Sequence, residues 1–277
     1  EKAAADKAAA DQAAAEQAAA EKAAAEKAAA ELAAAEQVTA AKVAAAAARA
    51  AKDEAARAEI AAAAKADPIG VQMAYLADYM APLCTFVSVA DARAEGFVLD
   101  GYTTDPKNLD GFAESWAAYT SLTPTLNAHT ITPGQCATID FAHRHQTTDS
   151  DPLGLSLEKA AEVVKSGATV SGKVDGLEGR SVTLFLFSEA GGATNLKPWT
   201  TENADGTVSF SFDLTLARGA PAAPQLLVAV ASDKPLPALD QVPAGVTTET
   251  LGPFLEKQFA EAGVTPALGI SYFRLER

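Results

Sequence analysis

Residues 181–187 have the sequence SVTLFLF, which predicts a central β-strand. Its apolar residues run on almost without a break, which is typical of a strand buried on both faces of a sheet. A second stretch of this kind, QLLVAVA, occupies residues 225–231. Because both stretches are apolar on both sides, we expect them to be central strands.

The residues around these two strands predict a β-rich domain over 167–277. Turn-forming Gly, Pro, Asn and Asp clusters separate the further strand candidates, which are 170–174, 207–214 and 267–275. A helical face carries Phe254, Leu255 and Phe259, and Gly263 marks its end. The pattern indicates a β-sandwich-like domain with one covering helix.

The segment before it, residues 67–146, predicts a small α+β sandwich domain. Its elements are expected in the order helix, two strands, helix, two strands, and the last strand is expected from Thr138 to Phe141. Asp105 followed by Pro106 is a typical helix start. A domain of this size is close to the lower limit for a stable single core.

Cys84 and Cys136 bound this small domain and are the two cysteines of the chain. Two unpaired buried thiols are one interpretation, since cysteine is often buried. A single pair that frames one domain favours a disulfide, whose loop of about 52 residues would stabilise the fold by roughly 4 kcal/mol. A disulfide would indicate an oxidising compartment such as the periplasm.

Between the two domains, residues 147–166 predict a linker helix. Leu157, Ala160, Ala161 and Val164 would share its apolar face, and Gly167 follows its end.

The first 66 residues predict a helical stalk. From Glu1 to Gln37 the chain repeats a unit of five residues, in which an acidic residue and usually Lys or Gln precede three alanines. Neither Gly nor Pro occurs before Pro68, so the segment consists of good helix formers. The acidic residues wind around such a helix and leave no apolar stripe, so we expect a solvated single helix on the order of 100 Å long. Two alternatives stay open: a partly helical low-complexity tail, and a loose alanine-packed bundle with other copies.

The charge of the chain excludes some partners. The 277 residues carry a net charge of −14 and an isoelectric point near 4.6. A nucleic-acid partner would require a basic patch, and an anionic membrane surface would be repelled. No run of about 20 apolar residues is present to span a membrane. Since the chain begins inside a repeat, we expect it to be a piece of a longer protein with an upstream membrane anchor.

Residues that could support chemistry are few. His143 and His145 would share one face of a strand and are weak candidates for metal ligands. The run Asp149-Ser150-Asp151 lacks the remaining positions of a calcium loop. No motif of a hydrolase, metalloprotease or phosphate-binding loop occurs. We therefore predict no enzyme activity, no cofactor and no metal.

Three aromatic residues are candidate ligand contacts. Trp199 follows Lys197 and Pro198 in a loop, which favours an exposed position. Tyr119 and Trp116 lie on a predicted helical face, where a core position is the alternative for Trp116.

Several motifs in the two predicted domains, residues 67–146 and 167–277, resemble a recurrent module. They are SGKVDGLEGR at 171–180, LFLF at 184–187, PQLLVAVAS at 224–232, KPL at 234–236, Tyr272-Phe273, and in the smaller domain Gly101-Tyr102, the helix from Leu109 to Phe112 and Gln135-Cys136. They are similar to the extracytoplasmic C-terminal region of alphaproteobacterial membrane-anchored proteins described as serine/threonine-kinase-like or caspase-like. The resemblance implies that any kinase or protease domain lies upstream. The alanine-rich repeat separately resembles the envelope-spanning helix of TolA-type proteins.

These observations predict a non-enzymatic periplasmic sensor or binding head on a stalk. Its expected partner is a protein or a cell-envelope component. The alternative is a transducer of the TolA or TonB type, in which a rod spans the envelope and the head contacts an outer-membrane protein.

Overall fold

A computed structural model describes residues 22, 26–27, 31, 37–60, 62–63, 65–145, 153–158 and 162–277. The chain divides into two compact units, Glu1–Glu59 and Ile60–Arg277.

Helix α1, residues 37–60, is the longest helix that the structure describes, at about 24 residues, and its residues up to Glu59 belong to the first unit. Every residue from 37 to 59 is exposed, so helix propensity rather than packing against a core forms this helix. The predicted fold class, a long Ala-rich single helix of some 65 residues followed by two domains, is wrong, because the longest described helix has about 24 residues and the chain is mostly a β-rich unit with three sheets. Most of the remaining repeat, from Glu1 to Glu36, lies outside the described residues.

The second unit begins with the elements of the smaller predicted domain. In chain order they are α2 (Pro68–Asp78), β1 (Thr85–Asp91), β2 (Val98–Thr103), α3 (Lys107–Thr120), β3 (Thr125–Thr130) and α4 (Cys136–Arg144). Strands β1 and β2 are antiparallel, and β3 runs parallel to β2 after the α3 crossover. The three strands form a sheet in the order β1-β2-β3.

The rest of the unit is mostly strand. Its elements are β4 (Gly154–Leu157), β5 (Val163–Lys165), β6 (Thr169–Asp175), β7 (Ser181–Phe187), β8 (Gly192–Asn195), β9 (Thr200–Glu202), β10 (Val208–Asp213), β11 (Ala223–Ser232), β12 (Val246–Thr247), α5 (Thr248–Ala262) and β13 (Ala267–Glu276). They form a four-stranded sheet, β4-β6-β10-β9, and a six-stranded sheet, β12-β8-β7-β11-β13-β5.

Strands β7 and β11 are neighbours in the middle of the six-stranded sheet, which confirms their predicted central position. Leu184 and Leu186 point to the core shared with the four-stranded sheet, whereas Phe185 and Phe187 point to the opposite face. Because both faces are covered, the continuous apolar pattern of these strands is satisfied.

The second face of the six-stranded sheet packs against helices and against the smaller sheet. One continuous core joins Phe185 and Leu226 of the large sheet with Leu255 of α5, Phe141 of α4 and Phe86 of β1. The predicted boundary near residue 146 therefore falls inside one compact unit. The other face of the three-stranded sheet is covered by α2 and α3.

Two predicted elements differ from the structure. Strands β4 and β5 lie where a linker helix was expected over 147–166, because both add to sheet edges that need backbone partners. The residues from Thr138 to Phe141 are helical in α4, and not a strand. A capping box formed by Thr132 and Gln135 closes the 3-10 turn Pro133–Gln135, which leads directly into this helix.

The turn between β7 and β8 lies directly against the loop before α4. Thr132 donates its hydroxyl to the carbonyl oxygen of Glu189. Gly191 has a φ of 79°, and a Cβ at this position would overlap the carbonyl oxygen of Gly134. The two backbones can approach this closely because both residues are glycines.

Among the described residues, no helix is both long and apolar enough to cross a membrane.

Candidate functional site

A cleft of about 910 Å³ lies beside β1. Lining residues come from the second half of α2 and the loop after it, from β1, and from the neighbouring strands β4 and β13. At its edge Met80 exposes 90% of its surface, and Leu83 of the same loop exposes 83%. A pocket of this size is in the range that binds small molecules.

The wall formed by α2 is positioned by polar contacts. Asp67 caps the helix by accepting the N–H of Gly70 at 2.8 Å, and Pro68 occupies the first turn. Gln72 is completely buried; its Oε1 accepts the N–H of Phe97 at 2.9 Å, and its Nε2 donates to the carbonyl of Arg93. These bonds fasten α2 to the start of β2.

The disulfide between Cys84 and Cys136 holds the beginning of β1. It joins the turn before β1 to the start of α4, with the two Cα atoms 4.7 Å apart. The N–H of Cys84 donates to Oδ1 of Asp140 at 3.0 Å, which helps to fix a residue with a φ of 58°. The predicted disulfide is thereby confirmed.

A polar network lies on the face of the three-stranded sheet that faces the cleft and β13. Ser88 and Asp100 are cross-strand partners, and Asp100 is paired in turn with Asn127 on β3. Asp100 and Ser88 both line the cleft. Because side chains alternate along a strand, Tyr102 lies on the same face as Asp100, next to His129 of β3.

Asp100 is held through one of its two oxygens. Asn127 Nδ2 donates to Oδ1 at 2.9 Å, and His129 Nε2 lies 3.4 Å from the same atom. Burial alone would raise the pKa of Asp100, but the hydrogen bonds from His129 and Asn127 and the charge of His129 outweigh it and hold this pKa below its ordinary value. The carboxyl is therefore ionised at neutral pH and acts as an acceptor.

His129 connects this carboxylate to β13. Its ring stacks on Tyr272, with centroids 4.6 Å apart, and contacts Tyr102 at 5.1 Å. The hydroxyl of Tyr102 is 3.4 Å from the carbonyl oxygen of Ile270, which also lines the cleft. Burial, followed by the nearby charge of Asp100, raises the pKa of Tyr102 well above its ordinary value, so its hydroxyl stays protonated.

The remaining charged groups of the cleft lie apart from this network. Asp175 is paired with Lys173, whose Nζ is 2.9 Å from Oδ2. Asp78 is exposed near the end of α2, and His143 is the one basic side chain among the described lining residues. The other described lining residues are mainly Ala, Leu, Met and further apolar types.

The two histidines proposed as metal ligands do not share a strand face. His143 lies in the last turn of α4, and His145 follows the helix. His145 Nε2 is 2.8 Å from Oε1 of Glu256 on α5. Residues two apart in a helix point in different directions, so the premise of that hypothesis was wrong.

One other cluster within the described residues has three possible metal-ligating groups, formed by Cys84, Cys136 and Asp140. Both of its sulfur atoms belong to the disulfide, so it has no thiolate to offer a metal. The run Asp149-Ser150-Asp151 lies outside the described residues.

The three aromatic candidates lie in different environments. Trp116 is completely buried between α2, α3 and the small sheet, so it cannot touch a ligand in this structure. Tyr119 is half-buried against Tyr75, with ring centroids 5.2 Å apart. Trp199 is 45% exposed just before β9 and is not among the residues that line the cleft. The predicted ligand contacts of Tyr119 and Trp199 therefore stay untested.

Sequence reasoning missed Asp100, Asn127 and His129 as a group. The alternating polar residues within β2 and β3 were a visible signal, since a purely structural strand face would be apolar. Their pairing depends on the parallel register of two strands separated by α3. No local spacing in the sequence encodes that register.

The chain matches no protein-family model, and a comparison with curated proteins finds no match. The resemblance to alphaproteobacterial extracytoplasmic regions therefore stays a prediction.

Proposed function

We propose that the Ile60–Arg277 unit is a non-enzymatic ligand-binding head of an extracytoplasmic bacterial protein. The cleft beside β1 is the observation that carries this proposal. Its volume of about 910 Å³ suits a small ligand, and a wall that combines apolar side chains with fixed polar groups is typical of binding sites. The membrane anchor and the bacterial envelope rest on the resemblance of the sequence alone.

Binding rather than catalysis is favoured by the surroundings of His129. A histidine that activates a nucleophile needs a hydroxyl or thiol within hydrogen-bond distance. Within the described residues, the hydrogen-bond partner of His129 is Asp100, and its ring faces are occupied by Tyr102 and Tyr272. This arrangement orients a carboxylate, which serves recognition.

An extracytoplasmic location is supported by the disulfide between Cys84 and Cys136, since such bonds persist in oxidising compartments. Thiol counting on denatured, unreduced protein from its native host tests this part. We expect no reactive thiol. Two thiols per chain would contradict the location without affecting the cleft.

The cleft is tested with the full chain and Nile red, an uncharged apolar dye. Ala77 and Ala74 are both exposed on α2, but Ala77 alone of the two lines the cleft. We expect saturable dye binding that Ala77→Trp weakens at least about tenfold, because an indole ring would fill part of the space. Ala74→Trp is the matched control. Equal dye affinity in both variants would refute the cleft as the binding site.

The transducer alternative depended mainly on the predicted long rod, and that prediction was wrong. It required a helix long enough to span the envelope, whereas the longest described helix covers 37–60. Affinity capture from envelope extracts with the full chain separates the two functions. A specific outer-membrane protein retained equally by the Ala77→Trp variant would favour the transducer.

A further inference from the structure

We propose that the cleft recognises a ligand that carries a primary ammonium group on an aliphatic body, with Oδ2 of Asp100 as its acceptor. This inference rests on the proposed binding function and specifies the chemistry of the ligand.

The first argument is the unequal use of the two oxygens of Asp100. Both donors within the network, Asn127 Nδ2 and His129 Nε2, lie against Oδ1. Among the described residues Oδ2 has no hydrogen-bond partner, although the side chain is only 26% exposed and lines the cleft. A partly shielded carboxylate oxygen without a protein donor can accept a hydrogen bond from a charged donor that enters the cleft.

The second argument is the excess of acidic over basic side chains around the cleft. Lys173 is engaged by Asp175, and no lysine or arginine is among the described residues that line the cleft. Asp78 adds a further negative charge at the α2 side. Three carboxylates, of Asp78, Asp100 and Asp175, line the cleft, whereas its described basic side chains are His143 and, behind Asp100, His129. Since the carboxylates outnumber these imidazoles, the electrostatics of the cleft favour a cation over an anion.

The third argument concerns the shape of the cation. A guanidinium group binds a carboxylate best through both oxygens at once. Since Oδ1 of Asp100 already accepts from Asn127 and His129, a two-point contact would displace them. An ammonium group needs one oxygen and can use Oδ2 alone.

The fourth argument is the apolar character of the surrounding wall. Phe86 on the same face as Asp100, Val228 of β11 and Ile270 of β13 line the cleft. Leu155 and Leu268 contribute from the side of β4 and β13. An aliphatic chain attached to the ammonium group would remove this surface from water.

Isothermal titration of the full chain with hexylammonium, hexanol and hexylguanidinium tests the inference. We expect hexylammonium to bind at least about tenfold more tightly than hexanol, because a hydrogen bond to a charged group adds that much affinity. Hexylguanidinium should bind less tightly than hexylammonium. The preference for hexylammonium should decrease as sodium chloride is raised, whereas hexanol affinity should not decrease.

The variant Asp100→Asn keeps the shape of the side chain and removes its charge. It should reduce the preference for hexylammonium over hexanol to less than about threefold. Asp110→Asn, an exposed change on α3 outside the cleft, should leave both affinities unchanged.

The outcomes separate the two levels of the proposal. Equal affinities of the wild-type chain for hexylammonium and hexanol, or a preference that survives in Asp100→Asn, would overturn the recognition of ammonium. If hexanol binding is still blocked by Ala77→Trp in that case, the cleft remains a binding site. If the wild-type chain binds none of the three compounds, this inference fails, and the Nile red experiment then decides on the cleft itself. The salt series uses wild-type protein, so the inference stays testable even where Asp100→Asn does not fold.

Discussion

Removing the disulfide with Cys84→Ser and Cys136→Ser should destabilise the Ile60–Arg277 unit by about 4 kcal/mol. The bridge closes a loop with a sequence separation of 52. In the chain-entropy relation a loop of this length restricts the unfolded chain by about 14 cal/mol/K, which gives this free energy at 25 °C. The bridge also ties β1 to α4, two elements of the wall and core around the cleft.

Urea unfolding followed by far-ultraviolet circular dichroism measures the effect. With a denaturant slope of about 2–3 kcal/mol/M, the midpoint of the double variant should lie about 1.5 M below that of the oxidised wild type. A reductant should bring the wild type close to the variant and leave the variant unchanged. If the variant and the oxidised wild type unfold at the same midpoint, the bridge does not restrict the unfolded chain.

Two further predictions concern the packing of the loop before α4 and the network around Asp100. Gly191→Ala should destabilise the protein by about 2–5 kcal/mol, since it adds overlap with the carbonyl of Gly134 to the cost of a positive φ. Gly219→Ala is the matched control, because Gly219 has a φ of 88° and open space where a Cβ would lie. It should lower the free energy of unfolding by about 1–2 kcal/mol. If thermal unfolding shows equal losses of stability in the two variants, the overlap with Gly134 does not contribute. The lowered pKa of Asp100 stabilises the fold above the ordinary carboxyl pKa of 3.8, and this contribution is lost as the pH falls through the lower folded value. Between pH 5 and 2, the urea midpoint of Asp100→Asn should therefore fall less than that of the wild type. If the two midpoints fall equally with pH, the hydrogen bonds from Asn127 and His129 do not favour the ionised form of Asp100.

Many elements of the second unit could be predicted because their signals are local. Strand β7 has the predicted bounds of Ser181–Phe187, and β13 differs from its prediction by one residue. Helix α5 ends before Gly263, whose φ of 62° is the conformation that the sequence signal implies. Periodicity and turn-forming residues are properties of neighbouring positions, so they survive in the folded chain.

The wrong secondary-structure predictions concern segments whose structure depends on distant partners or on competing local signals. Strand β5 has three residues and exists through its pairing with β13, which no local pattern reveals. In α4 the β-branched Thr138 and Ile139 indicated a strand, but the segment packs as a helix against β1 and α5. The alanine-rich repeat has strong propensity along its length, yet propensity without tertiary contacts does not guarantee one long helix.

By itself, the sequence determined which strands are central, where α5 ends and which two cysteines can pair, because hydrophobic pattern, glycine conformation and cysteine count are carried by the residues themselves. The tertiary structure alone decided that the two halves of Ile60–Arg277 share one core and that a cleft opens beside β1. It also decided that Asp100 meets Asn127 and His129, whose contact is created by strand register. These outcomes differ in the sequence separation of the interacting residues. Helix and strand propensity acts between residues a few positions apart, whereas a core, a cleft and a fixed carboxylate require side chains from distant parts of the chain.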